Sequence, residues 1–159
     1  MALKGAEAYW GVLNNSAVFR GLEPRALDLL VHTGLMLDAA TGSLVLYENE
    51  RSSPGLYLLV EGEVEVFLAQ DDGDVHLSRL QPGECFGEYS LIDGKATSAS
   101  LRALTPSRLF FLPSGLFQRM VENDLRSANT IYRNLLVQVI GRLRERAVKP
   151  ELAPDAEAC

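Results

Sequence analysis

Between Leu35 and Leu112 the apolar residues recur with a period of two, and no other feature of the chain restricts its fold so tightly. Leu44 and Leu46, then Leu56, Leu58 and Val60, then Val64, Val66 and Leu68, then Val75 and Leu77, and finally Leu101, Ala103, Leu109 and Phe111 alternate or run together. Such spacing sends successive side chains to opposite faces of an extended strand. Turn residues punctuate the pattern at Gly42, at 49–55, at Glu61-Gly62, at Asp71-Asp72-Gly73, at Gln81-Pro82-Gly83 and at Thr105-Pro106. Short strands with turn signals every 8–12 residues or so predict an all-β sandwich or barrel. Such a sheet must curve, and the glycines at 42, 62, 83 and 87 suit its corners.

On either side the period becomes helical. Residues 6–13 and 24–31 place apolar residues three and four apart, with Pro24 where a first helical turn tolerates it and Asn14-Asn15 and Gly21 as separators. After Pro113, a short helix is expected over 114–121 with Ser114 as its N-cap, and a long one over 125–148. The long helix carries Ile131, Leu135, Leu136, Val139, Ile140 and Leu143, more than a narrow stripe. One reading gives it two partners, the β portion on one face and a second copy of the chain on the other. The other is a single broad core face with Gly141 as a local defect. Arg142, Arg144, Arg146 and Lys149 fall in its last turns, where cations complement the helix dipole, and read as a solvated end. The tail 151–159 is short, acidic and expected to be disordered.

Composition narrows the function. With 159 residues, 47% of them apolar, the chain can bury one ordinary core, so a single domain over 1–150 is expected. No apolar run is long enough to span a bilayer and the first eleven residues lack the plan of a signal peptide, which points to a soluble, cytoplasmic protein. A net charge of −6 argues against a broad nucleic-acid surface. Two cysteines, Cys85 and Cys159, make no disulfide framework; Cys85 reads as a small buried residue.

The stretch with chemical content is Phe86-Gly87-Glu88-Tyr89-Ser90-Leu91. A glycine followed by a carboxylate, where a strand yields to a short helix, sets backbone N–H groups beside an acceptor for hydroxyl protons. That is a cradle for a sugar phosphate. Metal chemistry of the cupin kind needs two or three histidines with a carboxylate inside a barrel, and here there are only His32, in a helical pattern, and His76, after an acidic turn. Asp71, Asp72 and Asp74 belong to a hairpin turn, and no Ser-His-Asp arrangement is discernible. No catalytic residue and no metal ligand is assigned, and no enzyme is expected.

Three segments together carry a resemblance: Gly42-Ser43-Leu44-Val45-Leu46-Tyr47-Glu48-Asn49-Glu50, then Leu56-Tyr57-Leu58-Leu59-Val60-Glu61-Gly62-Glu63-Val64-Glu65-Val66, then Leu80-Gln81-Pro82-Gly83-Glu84-Cys85-Phe86-Gly87-Glu88. With the flanking helices, residues from about 10 to 147 resemble the cyclic nucleotide-binding domain family, in its catabolite activator-like form. The resemblance implies an eight-stranded jelly roll (double-stranded β-helix) over about 35–112 with an N-terminal helical bundle over about 6–33. It also implies a short helix inside a phosphate-binding cassette and two C-terminal helices over about 114–148, the last often dimeric. Glu88 falls on the glutamate that accepts from the ribose 2′-hydroxyl, Gly87 allows close backbone approach, and the N–H groups near Tyr89 and Ser90 would face the cyclic phosphate. The family continues with Pro-Arg, a small polar residue and Ala. Here the register holds Ala96-Thr97-Ser98-Ala99, so Ser98 and Ala99 match while Thr97 replaces the arginine that pairs with the phosphate. Lys95 stands two positions upstream, and the polar helix residues Thr130, Asn134 and Gln138 are candidates to reach a purine, unless merely solvated. Asn49 stands where glycine is common, and asparagine tolerates the same left-handed backbone.

The expectation is a non-enzymatic regulatory module that needs no cofactor. It binds cAMP, cGMP or a similar small anion, weakly if the charge at Thr97 matters, and signals through its C-terminal helix as a homodimer or to an unidentified protein partner. The alternative is a degenerate copy that binds no nucleotide and serves as an interaction or dimerisation domain. Only eleven residues follow Val148, fewer than the helix-turn-helix that often accompanies the family, so direct DNA binding is not expected.

Overall fold

The structure is a computed structural model that describes residues 6–47 and 54–148. Glu48, Asn49 and Glu50 of the family-like run, most of the turn at 49–55, Lys149, and the tail 151–159 with Cys159 lie outside the described residues. The strands are β1 (Leu35–Ala39), β2 (Leu44–Leu46), β3 (Gly55–Glu61), β4 (Val64–Leu68), β5 (Val75–Leu80), β6 (Cys85–Phe86), β7 (Ser100–Ala103) and β8 (Ser107–Pro113). The helices are α1 (Trp10–Asn15), α2 (Pro24–Thr33), α3 (Glu88–Asp93), α4 (Ser114–Asn123) and α5 (Leu125–Val148). The strands form two four-stranded antiparallel sheets, ordered β1-β8-β3-β6 and β2-β7-β4-β5. All four glycines expected at corners, Gly42, Gly62, Gly83 and Gly87, have positive φ.

The period of two is obeyed differently in the two sheets. In β3 every residue from Gly55 to Val60 is buried, because this strand is covered on both faces. Tyr57 and Leu59, with Leu109 and Phe111 of β8, face the other sheet and pack with Val64, Val66 and Leu101. Leu56, Leu58 and Val60, with Phe110 and Leu112, face outward into a second core shared with Leu13, Phe19, Leu27, Phe117, Ile131 and Leu135 of the helical layer. The sheet β1-β8-β3-β6 is thus the middle of three layers, and burying each large apolar side chain there contributes about 1.5–3 kcal/mol.

Local chemistry adjusts the helix ends. The helix expected over 6–13 divides into a 3-10 turn, Ala6–Tyr9, and α1. The break at Tyr9 holds its hydroxyl 2.7 Å from Glu61, pinning the N-terminal layer to the end of β3. Ser114 is not an N-cap: Pro113 occupies that position without a side-chain cap, and Ser114 begins α4 with its N–H donated to Pro54 O at 2.9 Å.

Asp124 ends α4 and caps α5. Its carboxylate accepts the Ser127 hydroxyl at 2.6 Å and the Ser127 N–H at 3.1 Å, and those bonds hold its pKa below the ordinary carboxylate value. A depressed folded pKa means stability that is present above the unfolded value, about 4, and lost as pH falls through the folded one. Asp124→Ala is therefore expected to cost about 1 kcal/mol in urea unfolding at pH 7. The gap between variant and parent should close as the pH is taken down through the acid range; a gap of equal size at low pH would contradict the capping role.

Candidate functional site

The turn 81–84 sets the site in place. Gly83 donates to Leu59 O at 2.8 Å and Leu59 donates to Glu84 O at 3.0 Å, so the turn is stitched to β3 and β6 runs along that strand's edge. The chain then reverses at Gly87, whose φ of 88° is left-handed. An added Cβ there would lie 2.4 Å from the carbonyl oxygen of Gly55. The position needs glycine twice over, for its conformation and for the close approach of β3. The short α3 follows, ending at Gly94 with φ 70° and an N–H bonded to Ser90 O at 3.0 Å. From there the chain crosses to β7 in the other sheet, so residues 87–99 bridge the two sheets.

Beneath this bridge lies a cavity of about 760 Å³. Gly87, Glu88, Tyr89, Ser90, Thr97, Ser98 and Ala99, the residues singled out from sequence, all line it. They are not equivalent in burial. Glu88, Ser90, Thr97 and Ala99 are buried, Tyr89 is half-buried and Ser98 is exposed at the rim. Ala99 belongs to the core between the sheets as well. Opposite the cassette, β4 and β5 supply Val66, Leu77 and Leu80 as an apolar wall.

The remaining wall comes from α5, and here the sequence expectation needs correcting. Arg142 is not part of a solvated end: its Nη1 donates to Glu88 Oε1, and both residues line the cavity. The pair is asymmetric, with the Glu88 side chain 3% exposed and that of Arg142 43% exposed. A carboxylate so buried requires a cationic partner or hydrogen-bond donors to remain ionised. Arg144 is exposed, in keeping with the expectation. Of the three polar helix residues, only Gln138 reaches the cavity. Asn134 instead donates to Val18 O and Arg20 O, each at 2.8 Å, tying α5 to the N-terminal layer, and Thr130 bonds to Arg126 O.

Gln138 Oε1 accepts from Cys85 Sγ at 3.5 Å. The Cys85 thiol is buried, which pushes its pKa up to about 11 against the opposing influence of Arg142, so it is a packing residue and not a thiolate. Two buried polar atoms in the cavity wall, Thr97 Oγ1 and Gln138 Nε2, have no hydrogen-bond partner among the described residues. Each such orphan costs about 1–3 kcal/mol, a cost usually met at places where a ligand or water completes the bonding.

A signal for Gln138 and Arg142 was present in the sequence. Ala128, Ile131 and Leu135 form the buried face of α5, and Gln138 and Arg142 continue the same three- and four-residue register. A buried stripe that turns polar without changing register marks a helix passing from a core to a polar cavity. His32 and His76 are far from one another in the fold: the first bonds to Asp28 O on α2, the second to Glu65 on the outer sheet. Among the described residues, no group of three or more His, Cys, Asp or Glu is arranged to hold a metal ion. No helix among them is long and apolar enough to cross a membrane.

The sequence matches the family described as "Cyclic nucleotide-binding domain" over residues 37–124, more than half of the chain. The chain belongs to that family. This cyclic nucleotide-binding domain is 30% identical over 147 residues to the "Cyclic AMP receptor protein" of Thermus thermophilus, covering 92% of this chain and 66% of the receptor. It is 28% identical over 129 residues to mouse "cGMP-dependent protein kinase 2", covering 80% of this chain and 16% of the kinase. Among solved structures, a cyclic nucleotide-binding domain from Methylobacillus flagellatus superposes with a TM-score of 0.81 at 23% identity, covering 98% of this chain and 91% of that one. That likeness shows the fold: antiparallel sheets flanked by helices at both ends of the chain.

Proposed function

We propose that this domain is a regulatory module that binds a 3′,5′-cyclic nucleotide beneath residues 87–99 and passes its occupancy to α5. The observation that carries this reading is the Glu88 carboxylate, buried in the wall of a cavity of ligand size and joined to a residue of the C-terminal helix. In this reading Glu88 accepts a ribose hydroxyl, Gly87 lets the backbone approach, and Thr97 and Ser98 hydroxyls with the amides around Tyr89 and Ser90 take the phosphate. Family membership and the names of the relatives support it.

The far side of α5 supports a homodimer. Leu136, Val137, Ile140 and Leu143 are exposed in a run beside its buried face, whereas a single broad core face would have buried them. An apolar stripe on the helix that also carries Arg142 is a suitable output surface, for a second copy or for another protein. The competing reading, a domain that binds no nucleotide, is favoured by Thr97 at the arginine position and by Arg142 already occupying Glu88.

Calorimetric titration of cAMP and cGMP into the parent chain and into Thr97→Arg separates the two. A parent that binds, with Thr97→Arg tighter by at least tenfold or so, is the expected result. A silent parent beside a binding variant would mean a competent cavity that has lost its charge, and silence from both would leave only the interaction module. Sedimentation equilibrium on the same parent sample should find a dimer.

A further inference from the structure

Six charged residues line the cavity: Arg79, Glu84, Glu88, Asp93, Lys95 and Arg142. Arg79 points its guanidinium at Glu63, 3.2 Å away, and Asp93 accepts the Lys95 backbone N–H at 2.9 Å, closing the turn after α3. Lys95 is exposed. Arg142, its side chain 43% exposed, is the cavity cation joined to the buried Glu88, and it comes from a helix remote in sequence from the cassette. One of its N–H groups serves Glu88, and the guanidinium carries others besides. A guanidinium is a planar fork of several donors, able to bridge a carboxylate and a phosphate at once, which an ammonium does poorly. On the cassette side of the same cavity, Thr97 offers an uncharged, buried hydroxyl with no partner among the described residues.

We propose that Arg142 is the phosphate counter-charge of this site, supplied from α5 to the cavity in which Thr97 stands in place of an arginine, so that an anionic ligand is held between the cassette and the C-terminal helix. The proposal rests on the cyclic nucleotide reading above. It makes α5 part of the binding site itself, with Arg142 clamped between Glu88 and the ligand's phosphate. Ligand arrival then adds a bond to the helix that bears the exposed stripe Leu136, Ile140 and Leu143.

The test sets the charged ligand against its uncharged counterpart. cAMP and adenosine, and cGMP and guanosine, are titrated into the parent chain, Arg142→Gln, Arg142→Lys and Lys95→Gln, with thermal melts to establish folding. The parent is expected to prefer the cyclic nucleotide over the nucleoside by roughly 30-fold or more. Arg142→Gln should erase most of that preference, lowering cyclic nucleotide affinity far more than nucleoside affinity, and Lys95→Gln should retain it. Should Arg142→Gln fail to fold, Arg142→Lys decides the matter, because a point charge without the fork is expected to lose several-fold of the preference. An unchanged preference in the Arg142 variants, or its loss in Lys95→Gln alone, overturns the proposal and leaves the cyclic nucleotide reading standing. A parent that binds none of the four compounds brings down both.

Discussion

Phe110→Ala is expected to lower the stability of the domain by roughly 3–5 kcal/mol, out of the 5–15 kcal/mol or so that single domains possess. Phe110 is fully buried at the centre of the β1-β8-β3-β6 sheet, paired with Met36 on one side and Leu58 on the other. Its ring points outward into the helical layer and meets Phe19 edge to face, with centroids 6.1 Å apart and planes at 81°. It also lies directly over the end of α2: a Cβ at Gly34 would come within 2.2 Å of its Cζ. A truncated side chain leaves a void bounded by the sheet, the Gly34 backbone and the N-terminal layer, none of which can collapse into it without moving an entire element. Urea unfolding should show a lower midpoint with an unchanged slope, and Phe110→Leu, which keeps most of the volume, should lose less. A loss below about 1 kcal/mol for alanine would show that the helices do not pack on the sheet as described.

Gly87→Ala is expected to damage stability and binding together. An alanine in the left-handed region costs about 1–2 kcal/mol by itself. The steric cost comes on top, because the atom 2.4 Å from the new Cβ is the main-chain oxygen of Gly55 and not the tip of a flexible side chain. Either β3 shifts at its start or the cassette lifts, and both displace Glu88, the next residue. Gly94→Ala is the control. Its φ of 70° carries the same conformational strain, but an added Cβ there meets nothing within 4 Å. Thermal melts should rank Gly87→Ala below Gly94→Ala, and calorimetry with cAMP and cGMP should show binding weakened far more in the first. Equal behaviour of the two variants would remove the close approach of β3 from the account of the site.

The two glycines illustrate how much of the site could be read from residue order. The switch from alternating apolar residues to Phe86-Gly87-Glu88, and back at residues 98–103, located a turn, a short helix and a strand to within about two residues, because each is governed by neighbours in the chain. Thr97 was identifiable as the departure from the family in the same way. Which residues the cavity would bring together was a different matter. Arg142 lies 54 positions from Glu88, and its place at the end of a helix among other basic residues made a solvated role the natural reading. Likewise β3, read as one of several alternating strands, is buried along nearly its full length because helices from both ends of the chain cover its outer face.

Periodicity, turn residues and the Gly-Glu pair are properties of stretches a few residues long, so the amino-acid sequence alone determined alternating strands between helical flanks and a strand-to-helix turn at Gly87-Glu88, while the count of eight strands and the cassette came from the resemblance to the family. The pairing of a buried carboxylate with an arginine of the last helix depends on how α5 lies across the sheets, and that is decided by the burial of Ala128, Ile131 and Leu135 in a core assembled from distant segments. Local conformational preferences are written residue by residue, whereas the electrostatics of a cavity arise only once packing has removed the water and set remote charges face to face.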